Sequence, residues 1–215
     1  MTHTRRLPVY LVLDTSGSMS GAPIDAVREG IRLLVSQLRR DPQALETVHV
    51  SVITFDSDAR QVVPLTGLES FVEPTLNASG STSLGDALRV LCRSVDTEVK
   101  KSTADQKGDW KPLVFLMTDG EPTDSWESAI PEMKRRSWAG VIACGAGPGA
   151  KTEPLKKITE VVVLLHEAQD LKVFFSWVSS SIKTASSSLK VVPAAGAATQ
   201  GVNLPPPPQG ITIVP

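Results

Sequence analysis

Apolar, strand-forming runs alternate with amphipathic segments along most of this chain, and this alternation restricts the fold more than any other feature. The runs that are long enough to be buried strands are 9–13, 48–55, 113–117, 141–145 and 161–165. Apolar residues at helical spacing follow several of them, as between Pro23 and Arg40. Strands that alternate with helices form parallel sheets covered on both faces. The sequence therefore predicts an α/β fold with a doubly wound, Rossmann-like, mostly parallel sheet.

The segment after the second run predicts one exception to the parallel order. Residues 59–65 form a short strand-like run, separated from the strand 48–55 only by Asp56, Ser57 and Asp58. A parallel partner needs a crossover of a dozen or more residues, whereas an antiparallel partner needs only a tight turn. We therefore expect one short antiparallel strand at an edge of the sheet.

Composition and charge narrow the possible functions. The 215 residues carry 22 Lys and Arg against 23 Asp and Glu, and no basic stripe stands out, so we expect neither nucleic acid nor a membrane as a partner. Cys92 and Cys144 lie in apolar segments and are predicted to be buried, reduced thiols. The chain starts without a recognisable secretory signal, and no stretch reaches the roughly 18 apolar residues of a membrane span. The predicted location is cytoplasmic.

The composition changes near residue 186. Ala, Gly, Ser and Pro dominate from there, with four consecutive prolines at 205–208. We predict one domain over residues 1–185 and an Ala/Gly/Pro-rich tail over 186–215. Two interpretations of the tail remain open: a flexible extension, or an arm that docks on a partner or back on the domain.

The first strand runs directly into a cluster of oxygen ligands. Asp14, Ser16 and Ser18 place one carboxylate and two hydroxyls at alternate positions. Oxygen ligands suit a hard cation such as Mg²⁺, Mn²⁺ or Ca²⁺ better than zinc or copper. Ligands of open α/β sheets bind at the carboxyl ends of the strands, where this cluster lies. Taken alone, the same residues are also typical of a helix N-terminus.

Two further loops offer oxygen ligands in comparable positions. Thr82 lies in the polar loop 79–83 before a predicted helix, and Asp119 follows the strand 113–117. A divalent ion needs about six oxygen ligands, which a sheet supplies by bringing separate loops together. Each residue alone has an ordinary explanation, as a helix cap for Thr82 and as part of an Asp-Gly turn for Asp119.

In this order the five residues resemble the metal-ion-dependent adhesion site of von Willebrand factor A (VWA) domains. The motif of that family is Asp-x-Ser-x-Ser, then Thr, then Asp in a Thr-Asp-Gly loop. The resemblance spans about residues 7–180 and implies the VWA fold. Within the family the chain looks like the short intracellular bacterial form, the TerY-type proteins of tellurium-resistance and stress-response systems, on residues 11–19 and 118–124.

The resemblance implies a metal-dependent protein-binding module and no enzymatic activity. Ser16 and Ser18 would ligate the ion directly, and Thr82 directly or through water. Asp14 and Asp119 would hold metal-bound waters, with direct ligation by either aspartate as the alternative. A Glu or Asp of a protein partner would fill the remaining position. For TerY-type relatives, that partner is implied to be a kinase, a phosphatase or another tellurium-resistance protein.

Two other functions remain open on the sequence. A metal-assisted phosphatase of the haloacid dehalogenase type also begins with an aspartate after an apolar strand. That class needs a second acid two residues later, where this chain has Ser16. The other possibility is a structural scaffold in which the metal site is vestigial. Neighbouring Glu121 and Asp124 are candidates for the rim of the site.

Overall fold

Seven strands form one mixed sheet in the computed structural model, which describes residues 5–147, 149–167, 170–188, 205, 206, 208 and 212–214. The strands are β1 (Leu7–Asp14), β2 (Val48–Phe55), β3 (Ala59–Gly67), β4 (Leu113–Thr118), β5 (Gly140–Ala146), β6 (Val161–Leu165) and β7 (Thr212–Val214). Their order across the sheet is β3-β2-β1-β4-β5-β6-β7. The predicted α/β fold with a mostly parallel sheet is confirmed.

Helices cover both faces of the sheet. They are α1 (Ala22–Arg39), α2 (Pro42–Thr47), α3 (Leu84–Glu98), α4 (Ile130–Lys134), α5 (Glu153–Ile158) and α6 (Asp170–Ser188). Successive side chains of a strand point to opposite faces. Leu11 of β1 accordingly belongs to the core with Ile31 of α1 and Phe175 of α6, while Val12 belongs to the core with Leu88 of α3. A two-sided core explains why β1 is buried along its whole length.

Both outer strands run antiparallel to their neighbours. The predicted antiparallel strand is β3, which pairs with β2. A second antiparallel edge strand, β7, pairs with β6 and was not predicted. The indole nitrogen of Trp177 also donates a hydrogen bond to the carbonyl of Pro205 over 2.9 Å. The described parts of the tail therefore pack against the domain, although most of residues 186–215 lies outside the described residues.

Two short helical segments lie between the longer elements. A 3-10 turn over Trp126–Ala129 precedes the short α4. Asp41-Pro42 starts α2 soon after α1 ends, since the Asp41 carboxylate accepts a hydrogen bond from the Ala44 amide over 2.9 Å.

The predicted state of the two cysteines agrees with the structure, and both are free and buried. None of the helices in the described ranges combines the length and the apolar character needed to cross a membrane.

The order of the central strands places three carboxyl ends side by side. β1 pairs in parallel with β2 on one side and with β4 on the other. Asp14 pairs with Phe55 in this register, and Leu13 pairs with Met117. The loops that follow β1, β2 and β4 therefore meet at one edge of the sheet, where the candidate site lies.

Candidate metal centre

The Asp14 carboxylate lies at the buried bottom of the site. Its side chain has no exposed surface, and both carboxylate oxygens accept hydrogen bonds. The Ser16 amide donates to Oδ1 over 2.8 Å, and the Thr118 hydroxyl donates to Oδ2 over 2.5 Å. The backbone of β1 and the end of β4 thus hold the carboxylate in one orientation.

The hydroxyls of Ser16 and Ser18 lie between the buried Asp14 carboxylate and the surface. The Ser18 hydroxyl donates to Oδ1 of Asp119 over 2.8 Å and lies 3.0 Å from the Ser16 hydroxyl. Because the single hydroxyl proton of Ser18 is used on Asp119, Ser16 is the donor in the second bond. Ser16 is 2% exposed, while Ser18 is open to solvent. The loop after β1 and the loop after β4 are therefore joined through their side chains.

Thr82 approaches the same place from the loop before α3. A Cβ atom added to Gly120 would lie 3.3 Å from the Thr82 hydroxyl and 3.9 Å from the Ser18 hydroxyl. Both hydroxyls therefore flank the same glycine in the Asp119 loop. The structure brings the five predicted side chains together at the carboxyl edge of the sheet.

Backbone hydrogen bonds fix the Thr82 loop against the first loop. The Gly17 amide donates to the Gly80 carbonyl over 3.0 Å, and the Ser79 amide donates to the Thr15 carbonyl over 2.8 Å. Gly80 has a φ of +73°, and a Cβ there would lie 2.4 Å from the Ser57 hydroxyl. Only glycine suits this position, because a side chain would meet both an unfavourable backbone conformation and a clash.

Residues 9–177 match the family model of the von Willebrand factor type A domain. The chain belongs to this family. Since the match covers most of the chain and both cores, the fold of this VWA domain and its family agree with the expectation drawn from the motif.

One curated relative and two solved structures illustrate the similarity. An uncharacterized protein of Synechocystis sp. is 32% identical over 127 residues, which are 55% of this chain and 27% of that protein. A von Willebrand factor type A protein from Catenulispora acidiphila has a TM-score of 0.63 at 20% identity, over 84% of this chain and 43% of that one. Proximal thread matrix protein 1 of the mussel byssus was solved with a zinc-occupied MIDAS motif. It has a TM-score of 0.60 at 18% identity, over 83% of this chain and 48% of that one.

This VWA domain spans about a quarter of the length of the curated relative and less than half of each solved structure. The two structural likenesses concern the fold, which their TM-scores support.

Three polar residues that the sequence analysis missed, or placed elsewhere, support the site. The Thr123 hydroxyl accepts a hydrogen bond from the Thr82 amide over 3.1 Å. The two carboxylate oxygens of Asp124 accept the Gly85 and Asp86 amides, each over 3.0 Å. Asp124 therefore caps the N-terminus of α3 from another loop, a role that no local sequence signal reveals. The third residue, Thr118, orients Asp14 as described above.

The electrostatics of the VWA site favour a bound cation. Burial raises the pKa of the Asp14 carboxyl, hydrogen bonds from Ser16 and Thr118 act against this rise, and the charge of Asp119 adds to it. In the described part of the chain, the hydrogen-bond partners of Asp14 and Asp119 include no lysine or arginine. A buried carboxylate without a basic partner is costly unless a metal ion balances its charge.

The ligand set of this VWA domain also fits a hard divalent ion. Neighbouring oxygens around octahedral Mg²⁺ lie about 3 Å apart, which is the separation of the Ser16 and Ser18 hydroxyls. No group of three or more His, Cys, Asp and Glu side chains suited to a metal occurs in the described ranges. The hydroxyl-rich edge is therefore the place in those ranges that the chemistry favours for Mg²⁺, Mn²⁺ or Ca²⁺.

Proposed function

We propose that this VWA domain is a metal-ion-dependent protein-binding module that takes up an acidic side chain of a partner. The observation that carries the proposal is the convergence of three hydroxyls and the Asp119 carboxylate over a buried Asp14 that has no basic hydrogen-bond partner among the described residues. Family membership supports it, because VWA domains commonly mediate interactions between proteins. The mussel protein with a zinc-occupied MIDAS motif supports a divalent ion in this fold.

Each residue has a distinct role in this proposal. Ser16, Ser18 and Thr82 would hold the ion through their hydroxyl oxygens, and Asp14 and Asp119 would orient water molecules behind it. When bound, the ion would supply an electrophilic coordination site for a carboxylate. Neutral hydroxyls leave much of the cationic charge uncompensated, which favours an anionic ligand from the partner. Ser18 is exposed, so a partner has access to this side of the site.

The phosphatase alternative receives no support from the geometry of Asp14. A phosphatase of the haloacid dehalogenase type would use this carboxylate as its nucleophile. Asp14 has no exposed surface, and both of its oxygens are held by hydrogen bonds. We therefore propose binding and no catalysis, with the structural scaffold as an outcome of the experiment below.

The cellular setting is a further part of the proposal. The resemblance of residues 11–19 and 118–124 to TerY-type proteins favours a cytoplasmic partner in a tellurium-resistance or stress-response assembly, such as a kinase or phosphatase. A pull-down from the native host, with and without chelator, tests this setting. A metal-dependent interface would be contradicted if no captured partner is lost in chelator and none is lost from the Thr82→Ala variant.

Metal-induced thermal stabilisation tests the proposed site itself. Ion at about one hundred times its Kd stabilises the folded state by about 2.7 kcal/mol, which corresponds to a rise of roughly 5–10 °C in the Tm of a domain of this size. We expect this rise for the natural sequence and for Ser20→Ala, but not for Ser18→Ala. Ser20 is the matched control, because it is an exposed serine on the same turn without a hydrogen bond to the site. If the metal changes the Tm of Ser18→Ala and Ser20→Ala equally, the proposed site does not bind the ion, and the scaffold interpretation remains.

A further inference from the structure

A groove at the amino ends of the strands, opposite the metal site, carries more positive than negative side chains. It has a volume of about 420 Å³ and lies between the end of α3, the loop before β4 and the end of α4. Four exposed cations surround it: Lys100, Lys101, Lys111 and Arg135. Among the described residues, no carboxylate lies within ion-pairing distance of these four side chains.

The two acidic residues of the groove are already neutralised. Asp109 is paired with Arg6, and its side chain is 2% exposed. Asp96 is paired with Arg136 over 2.5 Å. The excess of positive charge is therefore not balanced within the groove, although the whole chain carries a formal net charge of −1.

Helix structure explains only part of this charge. Arg135 and Arg136 follow α4 directly, where a basic side chain is favourable next to the negative end of the helix dipole. Lys101 and Lys111 lie in the loop before β4, outside any helix. No helix end accounts for their placement around the groove, and a carboxylate on which Lys101 acts, Asp96, is already paired with Arg136.

The walls of the groove are apolar. Val95 and Val99 come from the end of α3, and Trp110 and Pro112 come from the segment before β4. The guanidinium of Arg5 lies 3.5 Å from the centre of the Trp110 ring and fixes the orientation of the indole. Apolar walls with a cationic rim match a ligand that combines carboxylates with an apolar side chain.

We propose that this groove binds an acidic peptide segment of a partner protein, with an apolar side chain of that segment inserted between α3 and the Trp110 segment. Charge complementarity identifies the occupant: the rim is cationic, and the chain's own tail over 189–215 contains no Asp or Glu that could supply the opposite charge. A nucleic acid fits less well, because the chain as a whole carries a slightly negative net charge and the groove combines its cations with apolar walls.

The groove is independent of the metal site. Lys111 and Pro112 precede β4, whereas Asp119 follows it, and the six residues of β4 span about 20 Å. Peptide binding to the groove is therefore expected to persist in chelator. This property separates a failure of the groove proposal from a failure of the proposed metal-dependent function.

Fluorescence anisotropy at low salt and in chelator tests the groove. The probe is a fluorescein-labelled peptide, Glu-Asp-Phe-Glu-Asp-Leu-Glu-Asp, and the test variant carries Lys101→Glu and Lys111→Glu. The control variant carries Arg40→Glu and Lys151→Glu, which reverse two exposed charges outside the groove and change the net charge equally. We expect binding to weaken by about tenfold or more in the test variant and to stay within about twofold in the control, because only the first pair faces the ligand.

Two further ligands define what would overturn the proposal. A peptide with Ser in place of Phe and Leu is expected to bind at least about fivefold more weakly, since it lacks the apolar anchor. A mixed-sequence RNA oligonucleotide is expected to bind more weakly than the first peptide. The proposal fails if the unaltered protein does not bind the peptide, if both charge-reversed variants bind it alike, if the Ser peptide binds as tightly, or if RNA is preferred.

Discussion

Asp14 ends β1 and Asp124 lies in the loop after β4, and the two residues differ in what holds their carboxylates. Asp14 is fully buried and receives one backbone and one hydroxyl hydrogen bond. Asp124 accepts two backbone amides at the start of α3 and so replaces the cap that Ser83 does not provide. The first residue leaves a negative charge for a cation, whereas the second uses its charge at a helix N-terminus. The distinction depends on neighbours that are distant in the sequence.

Replacing Asp124 by alanine tests the support of the Thr82 loop. We expect Asp124→Ala to lower the free energy of unfolding by about 0.5–2 kcal/mol, as for the loss of a helix cap. We also expect weaker metal-induced stabilisation, because Thr82 lies two residues before α3. Urea unfolding with and without Mg²⁺ measures both effects. Glu121→Ala is the control for the free energy of unfolding, since Glu121 is exposed in the same loop; an equal loss of stability in the two variants would contradict the capping role.

Asp109 gives a prediction for acid pH. Burial acts to raise the pKa of its carboxyl, but hydrogen bonds from Arg6 and from the Lys100 amide outweigh burial, so the pKa lies below its ordinary value. A group with a depressed pKa stabilises the folded state above its unfolded pKa of about 3.9, and this contribution is lost as the pH falls through the folded pKa. The stability difference between the natural sequence and Asp109→Asn should therefore shrink between neutral pH and pH of about 2. A difference that is constant with pH in urea unfolding would show that the ion pair does not contribute.

Among the elements, β7 has the least support from local sequence. It contains three residues, of which Ile213 is 44% exposed, yet it pairs with β6 at one side of the sheet. An uncovered edge strand presents free backbone groups on which another chain can pair. The short strand thus covers the backbone edge of β6 and keeps it from pairing with another chain. The residues of β6 are mostly buried.

Deleting residues 212–215 tests this protection. We expect a loss of roughly 1–3 kcal/mol in the free energy of unfolding, from the lost ladder hydrogen bonds and apolar contacts. We also expect concentration-dependent self-association, measured by light scattering coupled to size-exclusion chromatography. Deletion of Pro215 alone serves as the control. A truncated chain that stays monomeric and equally stable would contradict a role for β7 at this edge.

Across the whole molecule, the central strands separate two surfaces that suit ligands of opposite charge. The carboxyl edge places hydroxyls and carboxylates around Asp14 and suits a cation. The amino edge surrounds an apolar groove with lysine and arginine and suits an acidic ligand. Because β1 and β4 are buried along their lengths, both surfaces rest on a rigid base.

The sequence predicted those parts of the molecule that local patterns control. β1 and β4 were predicted because strands buried on both faces are near-continuous apolar runs. The short gap after Phe55 similarly identified β3 as antiparallel. The pairing of β7 depends on an edge formed by distant residues, so three residues after a proline-rich stretch gave no sufficient signal. Ligation of a metal by the five site residues remains a prediction, although their convergence is present in the structure.

Crystals grown with Mn²⁺ would test the central claim most directly, through an anomalous difference map recorded near the manganese absorption edge. The account predicts one strong peak enclosed by the side chains of Asp14, Ser16, Ser18, Thr82 and Asp119. That peak should be absent from crystals of Ser18→Ala and present in those of Ser20→Ala. A map without a peak at this edge of the sheet, or with manganese bound only elsewhere, would contradict the account.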